Sequence, residues 1–436
     1  MPTTNPRVSR RDFLHGAASA GAALGAFTIL GATARGQGKT LNVALIGCGG
    51  RGRGALGQHI NAANILNKAL NLGINIKVVA TGDYFKSKAE QAGKGHGVPA
   101  NKCFGGADCY KKVFDSGKVD LLVTAATPAF RPVHFEAAVE HGAHVFMEKP
   151  VAVDAPGCRR IIKAGQKAKE KGLLVVAGTQ RRHQKNYIDA HHAVCTEKAL
   201  GRIMGGRVSW CSGHMFARSA IGCKTPADFV GSWKNWIELS GDHIVEQHVH
   251  NLDVGNWFMG SPPVSAVGFG GRARRNAGNM FDFFSIDLEY PDGIHIHSMC
   301  RQVSGCWRWV GEEFTCEKGV VRGGGGKGLT VKASPVVKEI PQVRGGHQQE
   351  HVNLLYCLLK GTYINEAKNV AESTAVAVMG RTACYTGQKI EWRDMMEDPK
   401  RKPDIYNLTL KPTADDFEKG AVPIPKEGLI PIPGKA

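Results

Sequence analysis

The chain has 436 residues, 22% charged and 42% hydrophobic, with a formal charge of +18. That composition is globular and long enough for two domains, so a disordered polyelectrolyte is excluded. The basic excess comes without a zinc-finger spacing, an RNP-type strand or a long basic run, which sets nucleic acid aside, and the twelve cysteines contain no C-x-x-C pair.

Ser9-Arg10-Arg11-Asp12-Phe13-Leu14, the mildly apolar run Gly16 to Leu30 and the small residues Ala32-Thr33-Ala34 predict a twin-arginine signal peptide over residues 1–34. Its apolar run is shorter than the ~20 residues of a membrane span, so no stable span is expected. The expected location is the periplasm or cell envelope. Removal of the signal leaves a charge of +16, which suits either anionic substrates or a solvated basic surface.

Leu41 to Ile46 runs into Gly47-Cys48-Gly49-Gly50-Arg51-Gly52, an apolar strand feeding a G-x-G-x-x-G turn. Such a turn holds a pyrophosphate at the start of the following helix, which assigns Gly47, Gly49, Gly50, Arg51 and Gly52 to a dinucleotide. Further short apolar strands, Ile76 to Gly82, Val119 to Ala126, His144 to Met147 and Leu173 to Ala177, end at Asp83, Thr127-Pro128, Glu148-Lys149-Pro150 and Gly178. Strands of this kind predict a parallel sheet with ligands at their carboxyl ends. Residues 39–180 therefore read as an NAD-binding Rossmann domain. Asp83 is placed at the adenosine ribose, where a carboxylate repels a 2′-phosphate and favours NAD over NADP. It lies 31 residues beyond Gly52, so Asn61 to Asn75 must extend the first crossover.

Residues 181–396 read as an α+β domain for substrate and oligomerisation, with strands at Gly206 to Trp210, Val264 to Phe269, Phe283 to Tyr290 and Ile294 to Met299. Pro291-Asp292-Gly293 predicts a hairpin between the last two. Such strands make a large open, mainly antiparallel sheet, and its open face is the expected substrate floor. Helices are expected at Val352 to Leu359 and Val370 to Tyr385. The Pro- and Lys-rich segment 397–436 reads as an extended tail unable to nucleate helix.

Two segments carry chemistry. Glu148-Lys149-Pro150 sets an ammonium at a strand end, where it can exchange a proton with a substrate hydroxyl. In Gly241 to Asp253, helical spacing puts Glu246, His250 and Asp253 on one face, so that Glu246 orients a His250 base. His243, His248 and the His295-Ile296-His297 pair suggest a metal site as a rival. No H-E-x-x-H spacing is present, and no metal is expected.

The VALIGCGGRG turn, AATPAFRPVH, HVFMEKPVAVD, GTQRR, EQHVHNLD and NVAESTAVAVMGRTACYTGQKIEW together resemble the glucose-fructose oxidoreductase, inositol dehydrogenase and rhizopine-catabolism family, Gfo/Idh/MocA. The resemblance spans most of the mature chain. It implies hydride transfer between a sugar or cyclitol carbinol and NAD, with Lys149 polarising the hydroxyl and His250 moving its proton. It further implies Arg181, Arg182 and Asp253 as substrate residues, beside His250, and His134, Thr127, Pro128 and Glu148 on the cofactor side. Glu246 stands where the family pattern commonly has Asp. Homo-oligomers are implied as well. Three classes stay open: a reversible oxidoreductase, a redox-neutral glycosidase working by oxidation, elimination and reduction, and a carbohydrate-binding protein without catalysis.

Overall fold

A computed structural model describes residues 39–214, 223–323, 329–330, 339–401 and 408–425. The twin-arginine segment 1–34 lies outside the described residues.

The first sheet is parallel throughout, built from β1 (Thr40–Ile46), β2 (Asn75–Asp83), β3 (Cys103–Gly105), β4 (Leu121–Thr124), β5 (His144–Met147) and β6 (Val175–Ala177) in the order β3-β2-β1-β4-β5-β6. Every residue of β4 is buried, as expected for a strand covered by helices on both faces. The order reverses between β1 and β4, and a crevice opens at their carboxyl ends, where ligands bind in such sheets. Helix α1 (Gly50–Leu70) leaves directly from the glycine turn. Its 21 residues fill the long first crossover and account for the distance from Gly52 to Asp83.

The second sheet has the order β13-β12-β11-β7-β10-β9-β8-β14, with β7 (Ile203–Ser212), β8 (Ser265–Gly271), β9 (Phe283–Tyr290), β10 (Ile294–Gln302), β11 (Trp309–Cys316), β12 (Gly319–Gly323), β13 (Leu329–Thr330) and β14 (Ile390–Glu391). Neighbours pair antiparallel, apart from β7 with β10. Pro291–Gly293 makes the expected turn between β9 and β10. Helices α2 (Val249–Met259) and α4 (Ala367–Thr386) cover one face, while α3 (Gly346–Lys360) packs on α1. Gly380 belongs inside α4 because a Cβ there would stand 2.6 Å from Ile286 Cδ1 of β9, so its absence lets helix and sheet close together.

Two expectations are corrected. Trp210 and Val208 of β7 lie on the same face as buried Cys300 and Ser298 of β10, the helix-covered side, and His250 packs there on Trp210. The open face instead shows Val267, Phe269 and Val320 to solvent, and His250 does not stand on it. The tail also does form helix, at Ala414–Glu418. Thr413 and Asp416 make a reciprocal capping box, and Phe417 is buried against Phe130 and Tyr84 of the first sheet's surround.

Candidate active site

The glycine turn is shaped for close backbone approach. Gly47 has φ +89°, and a Cβ on it would lie 2.3 Å from the Ala126 nitrogen; one on Gly52 would lie 1.8 Å from the Gly47 carbonyl oxygen. Gly49 and Gly50 face open space, with nothing within 4 Å of where a Cβ would stand. No side chain caps the start of α1, so its first N–H groups and the positive dipole end remain available to an anion. These features fit a pyrophosphate.

A pocket continues from the turn, lined by Gly47, Gly49, Asp83, Thr127, His134 and Trp233 among others. Asp83 accepts hydrogen bonds from Cys48 N at 2.7 Å and Phe85 N at 2.9 Å, which fixes its carboxylate at the end of β2. Pro128 begins the turn after Thr127 and is buried. His134 is 2% exposed, and burial, helped by the Arg131 charge, pulls its pKa down to about 3, so the ring is neutral.

Arg51 and Glu148, both expected on the cofactor, are closed on one another. The Arg51 guanidinium donates to the Glu148 carboxylate and reaches Glu350 of α3 at 3.2 Å and Gln58 at 2.8 Å. Their charge is spent holding α1, the end of β5 and α3 together. Arg131, not singled out by the sequence, is buried and donates to the carbonyls of Ala126, Glu148 and Pro150. It braces the strand end that carries Lys149, and no local sequence signal marks it.

Lys149 Nζ donates to the backbone carbonyl of Glu246 at 2.6 Å and stands 3.7 Å from its carboxylate. This overturns the expected pairing of Glu246 with His250. Ile244–His248 is a π-helical turn running into α2. Its i→i+5 pairing shifts the register, so residues four apart no longer stack. Glu246 turns to Lys149 and Gln247, while His250 stacks on Trp210 with ring centroids 5.7 Å apart. Burial, then the charges of Lys149, Arg181, His347 and Arg51, hold the His250 imidazole well below the usual histidine range. The ring is therefore neutral, and no carboxylate supports its protonated form.

Asp253 and Arg182 are corrected as substrate residues. Asp253 is 1% exposed and accepts from Arg182 Nε at 3.0 and 2.9 Å and from Ser373 Oγ at 2.8 Å, while the guanidinium lies over Trp257. The pair is closed on itself, and Arg182 borders a second hollow lined by His191, Asn256, Trp257 and Glu372. Arg181 is held by buried Glu312 of β11, which also accepts from Tyr187 Oη at 3.0 Å and Asn251 Nδ2 at 2.7 Å, and its charge reaches His250. Glu312, Trp210 and His347 come from elements far apart in sequence, so spacing could not reveal them. The histidines read as possible metal ligands are separated: His248 bonds Ser298 Oγ at 2.8 Å, His243 packs on Phe284, and His295 and His297 stand on the open face.

Comparison with known families supplies the frame for this cleft. Residues 41–179 match the model described as the oxidoreductase family with NAD-binding Rossmann fold, Gfo/Idh/MocA, and residues 190–322 match the C-terminal domain model of the same family. The chain belongs to the Gfo/Idh/MocA family. An inositol 2-dehydrogenase from Burkholderia vietnamiensis is 30% identical over 59% of this chain and 66% of its own. A 2,7-anhydro-N-acetylneuraminate hydratase from Mediterraneibacter gnavus is 29% identical over 39% of this chain and 42% of its own. The chain thus spans no more than about two thirds of these curated relatives. Among solved structures, the WlbA dehydrogenase of Bordetella pertussis in complex with NADH and UDP-GlcNAcA superposes with a TM-score of 0.63 at 19% identity, covering 81% of this chain and 99% of that one. At that identity the likeness establishes the Gfo/Idh/MocA fold alone.

Proposed function

We propose that this protein is an NAD-dependent oxidoreductase acting on a carbinol of a sugar, glycoside or cyclitol, with the cofactor tightly held. The observation that carries the reading is Lys149, held at the end of β5 by the Glu246 carbonyl, with its charge acting on His250 of α2, next to Glu148, which pairs with Arg51 of a glycine turn fitted to a pyrophosphate. Gly47, Gly49, Gly50 and Gly52 would take the phosphates, Asp83 the ribose hydroxyls, and Thr127, Pro128 and His134 the adjoining wall. NAD supplies the hydride acceptor. Lys149, steered by the Glu246 carbonyl, donates to the substrate oxygen, and neutral His250 accepts the hydroxyl proton. A weakly basic imidazole suffices, because the O–H of a carbinol losing hydride becomes as acidic as a protonated ketone. Arg181 contributes positive charge at the same oxygen.

Denaturing the purified protein and analysing the supernatant by mass spectrometry checks the cofactor. NAD is expected; NADP without NAD would contradict the role given to Asp83. The redox-neutral glycosidase is kept as a second reading, favoured by the hydratase relative. Multiple turnovers of an aryl glycoside without added NAD would select it, and a single stoichiometric change at the nicotinamide band would reject it.

We further propose export by the twin-arginine route to the periplasm or envelope, on the motif at Ser9 to Leu14, and a homo-oligomer joined through the open sheet face. The apolar side chains of Val267, Phe269 and Val320 there, 48%, 69% and 55% exposed, support the second proposal. Among the described residues no helix is long and apolar enough to cross a membrane.

A further inference from the structure

The tail helix Ala414–Glu418 supplies no lining residue to the cofactor pocket, yet it touches that pocket's walls. Those walls come from segments far apart in the chain: Tyr84 and Phe85 after β2, Phe130 and His134 after β4, and Val230 and Trp233 of the second domain. Tyr84 and Phe85 directly follow Asp83, the residue given to the ribose, so the enclosed space faces the adenosine half of the cofactor.

Phe417 joins the walls to one another. Its ring is 7% exposed and meets Tyr84 and Phe130 edge-on, with centroids 5.9 and 5.0 Å apart, while it lies near-parallel to Phe229, the neighbour of Val230, at 6.2 Å. Glu418 adds a polar tie. Its carboxylate accepts from Tyr110 Oη at 2.9 Å and pairs with Lys111, and the Tyr110 ring packs on His134 at 5.0 Å. Aromatic contacts of these geometries stabilise beyond the apolar area they bury. A base held between separate segments leaves when those segments part, so contacts that join them raise the cost of opening.

We infer that the tail segment Thr413–Glu418 straps the cofactor pocket shut and sets how long NAD stays bound, with Phe417 as the positioning residue. The inference rests on the NAD reading and adds the element that retains the cofactor. Phe417 does not line the pocket and acts through Tyr84, Phe130 and Phe229. Lys149 and His250 are not among the lining residues either, so the strap bears on retention and not on the chemical step.

The test is the rate at which the NAD-loaded full chain loses its cofactor. Native protein, Phe417→Ala, Tyr110→Phe and Ile390→Ala are desalted, and the nucleotide still bound is measured at intervals by mass spectrometry. Ile390 is fully buried in β14 of the second sheet, so its truncation costs stability away from the pocket. Release should be at least about tenfold faster from Phe417→Ala and about threefold faster from Tyr110→Phe, which keeps the ring on His134 and removes only the hydroxyl tied to Glu418. Ile390→Ala should lower Tm and still release NAD at the native rate. Bound ADP-ribose, which carries the adenosine half without the nicotinamide, should leave the variants faster by a similar factor. Native-rate release from either tail variant, equally fast release from Ile390→Ala, or an acceleration absent for ADP-ribose would overturn the inference. Should Phe417→Ala fail to fold, Tyr110→Phe decides. Native protein that binds no NAD would overturn the cofactor reading and the strap with it, whereas NAD held equally long by native protein and tail variants would overturn the strap alone.

Discussion

Every charged group acting on the His250 ring is basic. Burial first, then the charges of Lys149 and Arg181, disfavour the imidazolium, and the Glu246 side chain turns to Lys149 and Gln247 instead. Glu246→Gln should therefore leave the acidic limb of the pH–rate profile where it is. The backbone carbonyl that receives Lys149 survives the substitution, so turnover should fall only about tenfold or less. A limb displaced to lower pH would restore a direct Glu246–His250 interaction. Lys149→Ala and His250→Ala should each cost at least about a hundredfold, and the double variant little more than the worse single, since parts of one unit are non-additive. Kinetics of the four proteins measure this; fully additive losses would mean separate roles.

At the scale of elements, the alternation of strand and helix is legible where the strands of the first sheet are short, largely apolar runs ending in a chemically marked turn, and β3, only Cys103–Gly105, is too short to show one. Expected and observed bounds of β5 coincide at His144–Met147. The π-helical turn at Ile244–His248 leaves no mark in the sequence: a uniform 3.6-residue period places Glu246 and His250 on one face, and the wider turn parts them. β11 and β12 escaped notice for a different reason. Their inward residues include Glu312, whose burial depends on Arg181, Tyr187 and Asn251 from three other segments. Likewise Arg51 and Glu148 carried the right motif but satisfy each other. The glycine turn is the element with least tolerance. Gly52→Ala puts a methyl 1.8 Å from the Gly47 carbonyl oxygen, forcing the turn and α1 apart. It should weaken NAD binding by about a hundredfold or more, as titration would measure, while Gly57→Ala, with nothing within 4 Å, serves as the unaffected control.

Over the whole molecule, several histidines are buried as neutral rings, which ties stability to pH. His59 is fully buried, edge-on to His351 at 5.5 Å, and burial lowers its pKa to about 4. The unfolded chain, with an ordinary pKa of ~6.5, binds this proton first, so stability is lost as pH falls from ~6.5 toward the folded value. At pH 5 the loss attributable to His59 is about 2 kcal/mol. His59→Gln should therefore lose less Tm than the native chain between pH 7 and pH 5, as thermal melts at the two pH values would record. A parallel fall in both would mean that the ring is protonated or solvated in the folded state.

Reduction of bound NAD by a carbinol is visible at the nicotinamide band. Purified, NAD-loaded protein is mixed with excess myo-inositol, methyl β-D-glucoside or D-glucuronate, and absorbance of the reduced nicotinamide is followed alongside Lys149→Ala and His250→Ala. The predicted result is a rise with at least one of these carbinols that is lost or slowed by at least about a hundredfold in both variants. No change with any of them in the native protein, or a rise that survives in both variants, would contradict it.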